Sequence, residues 1–167
     1  MNRCSWCNLK NQKYVDYHDN EWCVLNMDER YLYEMFILES FQAGLSWECV
    51  LNKREAFLKA YDNFDIDKVV KYDDVKIEEL RNNKDIIRNR LKIQASINNS
   101  KIYMNIVNEF GSFYNYLSHF SGGRIFYEIG KTTSALSDKI SFDLRCRGMK
   151  FVGSTIIYSY LCAVGII

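Results

Sequence analysis

Glu39 and Trp47 are the residues of this sequence best placed to hold a flat, positively charged ring. They bracket the stretch Leu38-Glu39-Ser40-Phe41-Gln42-Ala43-Gly44-Leu45-Ser46-Trp47, a carboxylate answered eight residues later by an indole. From Asp28 onward Leu32, Met35, Phe36 and Glu39 recur at three- and four-residue intervals, the period of one helix face. Glu39 therefore points where a core leucine is expected. An ionised carboxylate in such a place is costly unless it is hydrogen-bonded or lines a cavity. The plainer reading, a glutamate on a polar edge of the helix, is weakened by these surroundings. Gly44 ends the helix, Ser46 caps the next one, and Trp47 falls on the following first turn. Trp6, Tyr17 and Trp22 widen the aromatic supply. Around a carboxylate, aromatic planes suit a cationic heterocycle held by stacking, cation–π attraction and a hydrogen bond to Glu39. As ordinary core residues they would need no ligand.

A second group lies near the C-terminus. A helix running to Cys146 is followed by Arg147-Gly148-Met149-Lys150-Phe151-Val152-Gly153-Ser154-Thr155 and then by another helix. Two short helices joined by Gly-hydrophobic-x-hydrophobic-Val-Gly look like a helix-hairpin-helix. In that element the glycines let backbone N–H groups approach a phosphate, and the second helix presents its positive N-terminus to the same anion. Gly148, Lys150, Gly153 and Ser154, flanked by Arg145 and Arg147, are the candidate DNA contacts. A simple helical hairpin that needs glycine for its turn is the competing reading.

A third group, Cys4 and His18, has the right ligand types for Zn²⁺, but two ligands make no site. Cys7 and Cys23 are near enough in sequence to join them. A buried thiol and a hydrogen-bonded imidazole are the alternative.

The elements that must position these groups are helical nearly throughout. Patterns occupy 29–43, 47–60, 66–71, 74–82, 85–109, 112–119, 135–147 and 154–163, after an irregular segment over 1–27. Asp28, Ser46, Asp65 and Ser134 are the expected N-caps; Gly44, Gly111 and Gly148 punctuate helix ends. Period-two alternation is not sustained anywhere and there is no proline, so the expectation is one all-α domain over 1–167. Its 167 residues, 48% apolar and 15% aromatic, suffice for a packed interior. No run approaches the ~18 apolar residues of a membrane span, and the N-terminus lacks a signal peptide's apolar stretch, so a cytoplasmic protein with its six cysteines reduced is expected. Charge is divided along the chain. Residues 1–80 carry ten Lys or Arg against sixteen Asp or Glu, whereas 81–167 carry twelve against five. A half that basic suggests a footprint for a polyanion, with Arg81, Lys84, Arg88, Arg90 and Lys92 expected in one helical stretch.

Together these segments resemble the bacterial DNA-3-methyladenine glycosylase I family. The resemblance rests on five blocks in one order: Arg3-Cys4-Ser5-Trp6; Tyr17-His18-Asp19-Asn20-Glu21-Trp22; Leu38-Glu39 through Trp47; Ile86-Ile87-Arg88-Asn89-Arg90 with Lys92-Ile93-Gln94-Ala95; and Gly148 through Thr155. It covers nearly the whole chain and implies an all-α helix-hairpin-helix glycosylase of two lobes with a pocket between them. Such an enzyme flips N3-methylated adenine out of duplex DNA and hydrolyses its N-glycosidic bond, leaving an abasic site without nicking the strand. By position, Glu39 matches the base-recognition glutamate, Tyr17 and Trp47 the stacking walls, and Trp6 and Trp22 further aromatic residues of the pocket. Cys4 and His18 match the N-terminal half of a structural zinc site. Family members supply the other half, a histidine and a cysteine, from a tail beyond the last hairpin helix; this sequence reads only to Gly165-Ile166-Ile167, so the zinc expectation stands on two ligands. The expected partner is double-stranded DNA with alkylated bases, met by a monomer without membrane attachment. The rival reading is a helix-hairpin-helix module that binds DNA or lesions without cleaving them.

Overall fold

The structure, a computed structural model, describes residues 3–167. Met1 and Asn2, part of the segment expected to be irregular, lie outside them. Helices follow as α1 (Gln12–Asn20), α2 (Glu29–Gln42), α3 (Trp47–Leu51), α4 (Arg54–Ala60), α5 (Ile66–Val69), α6 (Asp74–Asn82), α7 (Arg90–Phe110), α8 (Phe113–Ser121), α9 (Ala135–Cys146) and α10 (Ser154–Ala163), with a short 3-10 turn at Asp62–Phe64. Among the described residues there is no strand, so the all-α expectation is met.

α2 is the axis of the molecule because its sequence leaves no face for water. Every residue from Leu32 to Phe41 is buried, and a helix apolar on all sides belongs at the centre of a core. The one-faced reading of this helix was therefore too narrow. Asp28 caps it, its side chain accepting from the Tyr31 N–H at 2.9 Å. α10 packs along α2, α9 packs on α10, and α7 and α8 close the other flank. One contiguous apolar cluster runs from Tyr14 to Ile167. The other expected caps form as well: Ser46 accepts from Cys49 N, Asp65 from Asp67 N, and Ser134 builds a capping box with Ser137.

Three segments depart from expectation. The irregular stretch over 1–27 contains α1, which buries Tyr14 and Tyr17 and leaves the rest of its surface polar; two tyrosines three apart were too thin a stripe to outweigh the polar majority. The helix expected over 47–60 is interrupted at Asn52-Lys53 between α3 and α4. The helix expected over 85–109 begins at Arg90, where Asn89 accepts from Lys92 N. Arg81, Lys84, Arg88 and Arg90 thus do not share a helix, because residues 83–89 form the connection between α6 and α7.

Candidate functional site

Two buried glutamates sit five residues apart on α2, and their fates differ. Glu34 is ion-paired at 2.7 Å to Arg54, which also grips Glu21 at 2.7 Å. This is how a buried carboxylate is usually accommodated. Glu39, 3% exposed, has no cationic partner, and its Oε2 makes no hydrogen bond. Burial alone pushes its carboxyl well above the usual carboxylate range.

Glu39 lines a cavity of about 300 Å³ with Trp6, Tyr14, Tyr17, Trp22, Gln42 and Trp47. The five aromatic and carboxylate residues expected from sequence are thus brought to one place. α1 carries Tyr17, α2 carries Glu39, and Trp47 opens α3 immediately after the Gly44 turn, where the backbone is left-handed (φ 75°). Tyr17 and Trp47 meet with ring centroids 5.3 Å apart, and Trp6 meets Trp22 edge-on at 4.9 Å. Of the four buried side-chain atoms without a hydrogen-bond partner among the described residues, three belong to this cavity: Glu39 Oε2, Gln42 Oε1 and Trp47 Nε1. Each such atom carries a cost of about 1–3 kcal/mol unless something polar meets it. A planar ligand with donors and an acceptor on its edge, laid against the aromatic wall, fits that demand.

Sequence reasoning missed the wall opposite Glu39. Thr155, Tyr158, Ser159 and Cys162 line the same cavity from α10, and Lys131 and Thr132 from the loop before α9. The α10 residues are spaced three, four and seven apart, so the signal was a helix face of small and polar side chains. Tyr14 belongs to the undetected α1. Gln42 stood inside the quoted motif without an assigned role.

Cys4 and His18 are neighbours. His18 Nε2 accepts from the Cys4 N–H at 3.2 Å, and Nδ1 meets Asp19 Oδ1 at 2.9 Å. Asp19 is clamped by Arg3 at 2.6 Å, and that hydrogen bond, aided by His18, holds its carboxyl at about 2. His18 also packs against both Trp6 and Trp22, at 5.2 and 5.5 Å. The imidazole thus already anchors the pocket's aromatic wall. As a zinc site the donors fall short: among the described residues no three His, Cys, Asp or Glu side chains are grouped to hold a metal.

The hairpin between α9 and α10 is held from both sides. Gly148 takes a φ of 98°, reachable without strain only by glycine, and Met149 and Val152 turn into the core. Asn99 of α7 clamps Lys150 through both its N–H and its carbonyl, at 2.9 and 2.7 Å, and Asn98 donates to the Gly148 carbonyl. Gly153 opens α10 with no side-chain cap. A Cβ there would meet nothing within 4 Å, so the fold itself does not require glycine at this position. Arg145 and Lys150 are exposed. Two expected contacts are otherwise occupied. Arg147 is spent on Glu109 and Asp143, at 2.6 and 2.7 Å, so it does not offer the free cation expected of it. The Ser154 hydroxyl is held by Asp138 and Ser137 at 2.5 and 2.8 Å.

A larger cleft of about 640 Å³ lies among α2, the Asp62–Phe64 turn and α7. Its polar groups are matched within the protein: Arg30 donates to the Asn63 carbonyl, Tyr72 to Asp62, and Glu29 receives Tyr103 and the Phe113 N–H. Volume is therefore a poorer guide here than unmet hydrogen-bonding capacity.

The methyladenine glycosylase family model matches residues 6–167. The DNA-3-methyladenine glycosylase 1 of Escherichia coli (strain K12) is 41% identical over 174 residues, spanning 100% of this chain and 92% of the relative. A crystal structure of a 3-methyladenine DNA glycosylase I superposes with a TM-score of 0.92 at 38% identity, covering 99% of this chain and 93% of the other. A structure of the Staphylococcus aureus enzyme of that name, described for its recognition of 3-methyladenine, gives a TM-score of 0.92 at 32% identity over 99% and 91% of the two chains.

Proposed function

The chain belongs to the methyladenine glycosylase family, and from that premise we propose that it excises N3-methyladenine from DNA by hydrolysing the N-glycosidic bond. The observation that carries the site assignment is the convergence of three unpaired buried polar atoms, on Glu39, Gln42 and Trp47, in an aromatic cavity. Methylation at N3 makes adenine cationic. The base then leaves as a neutral molecule across a bond that is already labile, so strong acid assistance is not needed. What remains is to unstack the base, orient it and admit water.

Glu39 suits that task through its unusual electrostatics. Facing no cation, its buried carboxyl resists ionisation. A cationic base brought against it supplies the missing counter-charge, while neutral adenine does not. The pocket thus favours the damaged base by charge, and adenine over guanine by the carboxyl accepting from the exocyclic amine. Tyr17 and Trp47 stack on the base, and Trp6 and Trp22 complete the aromatic wall. A lesion that pairs badly is also cheaper to flip. Lys131, which lines the cavity, is ion-paired to Glu128 at 3.0 Å rather than offered as a free amine, so the reading is hydrolysis without a Schiff base and without strand cleavage. Incubating the protein with methylated duplex DNA tests this: free 3-methyladenine should accumulate and the strand stay intact until alkali is added. Tight lesion binding without base release would favour the non-catalytic module instead.

The duplex is held, in this proposal, by a monomer acting in the cytoplasm, through the Gly148–Gly153 hairpin with Arg145 and Lys150. Contacts to phosphate fix register and carry no sequence. Lys150→Ala should weaken binding evenly across sequences and reduce the salt slope by about one unit. Gly153→Val should fold normally, since a Cβ there meets no protein atom, yet lose about tenfold or more in affinity for undamaged duplex at moderate salt. Equal binding by both variants would reduce the turn to a connector. Val152, buried in the core, is unsuited to this test.

For zinc we propose only a structural role, with Cys4 and His18 as two donors of a set that the described residues do not complete. No chemical step depends on it. The 167-residue chain should retain well under about one equivalent of metal, with a melting temperature indifferent to Cys4→Ser. Elemental analysis finding a full, chelator-resistant equivalent would overturn the two-donor reading.

A further inference from the structure

Lys92 is a buried cation without an acid. It is 7% exposed, and none of the ion pairs among the described residues includes it. Its ammonium instead donates to two neutral carbonyls at the end of α2, Phe41 O at 2.8 Å and Ala43 O at 2.5 Å. These are carbonyls that a helix end leaves unmatched, and they carry the negative end of the helix dipole. α2 has no basic residue of its own in its last turn, and its C-cap has no backbone bond of the usual kind. A side chain from α7, about fifty residues further along, takes over that work. The turn it fixes is the one that sets the pocket. Glu39 lies two and four residues before the clamped carbonyls, Gln42 lies between them, and Trp47 opens the next helix four residues after Ala43.

The same ammonium lies 5.9 Å from the centroid of the Phe151 ring. Phe151 is part of the α9–α10 hairpin proposed to hold DNA and adopts a left-handed backbone (φ 56°), a conformation that an aromatic residue keeps only when its surroundings impose it. Further along α7, Asn98 and Asn99 grip the hairpin at Gly148 and Lys150. One helix therefore holds the base pocket's turn with Lys92 and the DNA grip with its asparagines, and Lys92 touches both. Burial pulls the lysine's pKa below its ordinary value. A merely structural cap could be supplied at less cost by water or a local side chain.

We propose that Lys92 is a positioning residue for base excision, which fixes the α2–α3 turn relative to the hairpin so that a DNA-bound lesion meets Glu39 and Trp47 in register. The inference rests on the glycosylase reading and is tested by single-turnover excision from methylated duplex, alongside affinity for undamaged duplex and melting temperature. Lys92→Met, which keeps the stem and removes the charge, should excise about tenfold more slowly or worse, with duplex affinity within about twofold of wild type. Lys92→Arg, which restores a cation, should recover most of the rate. Phe151→Leu, which leaves the α2 clamp intact, should lose about two- to fivefold in excision, and it decides the question if Lys92→Met does not fold. Wild-type excision by Phe151→Leu, or by Lys92→Met, overturns the proposal. So does a loss in Lys92→Arg equal to that in Lys92→Met, since the role would then be shape rather than charge. Absence of base release from the wild-type protein would instead sink the glycosylase reading on which the inference stands.

Discussion

Glu39→Ala is expected to cut the single-turnover release of 3-methyladenine by about a hundredfold, a loss in the range of a charge-assisted hydrogen bond removed from a dry site. Glu39→Gln, which keeps an acceptor and loses the charge, should fall between the two. Stability should move the other way. Because burial raises the Glu39 pKa above its unfolded value of 4.5, the folded state binds the proton more tightly than the unfolded one. Stability therefore falls as pH rises through and above 4.5, until the folded carboxyl itself ionises. Glu39→Gln is free of that penalty, so its melting temperature should exceed wild type at neutral pH and converge on it below about pH 4.5. The paired outcome distinguishes a functional carboxyl from a structural one. A Glu34→Gln control should destabilise, because it abandons Arg54. Release by Glu39→Ala at the wild-type rate would end the recognition role.

That contrast also marks what could be read in the sequence. Glu39 and Trp47 were legible because the helix period, the glycine break and the serine cap are local rules, and local rules placed both residues at the same end of α2. The hairpin was legible for a similar reason: Gly148, at a φ only glycine reaches without strain, breaks the helical pattern between α9 and α10. Partnership was not legible. Nothing in the local pattern says that Glu34 has Arg54 and Glu39 has none, because that choice is made between α2 and α4. Arg147 counted as a free cation until Asp143 and Glu109 closed on it. Lys92 looked like one more basic residue in a basic stretch, yet it is buried under the end of a helix about fifty residues earlier. α1 escaped notice because its buried stripe is only two tyrosines wide. Charge tallies and periodicity fix where residues lie along an element; tertiary contacts decide which charges remain available.

Trp47→Ala should weaken the binding of free 3-methyladenine by about 1–3 kcal/mol, roughly 5- to 150-fold, the range measured for loss of one aromatic platform under a base. Trp47 offers both a stacking face, 5.3 Å from Tyr17 centroid to centroid, and an indole N–H without a partner at the cavity wall. The two contributions separate by substitution. Trp47→Phe keeps a ring and discards the N–H, so its loss should be the smaller, about 1 kcal/mol, in line with one net hydrogen bond. Tyr17→Ala should resemble Trp47→Ala, because the phenol makes no hydrogen bond among the described residues and acts through its face. Burial also keeps that phenol protonated well past neutral pH, so its affinity effect should be flat across the working range. Titration calorimetry with the free base measures all three variants without DNA, so a hairpin defect cannot imitate a pocket defect. Unchanged affinity in Trp47→Ala and Tyr17→Ala, with melting temperatures lowered by cavity formation alone, would return both rings to the core and leave Glu39 without walls.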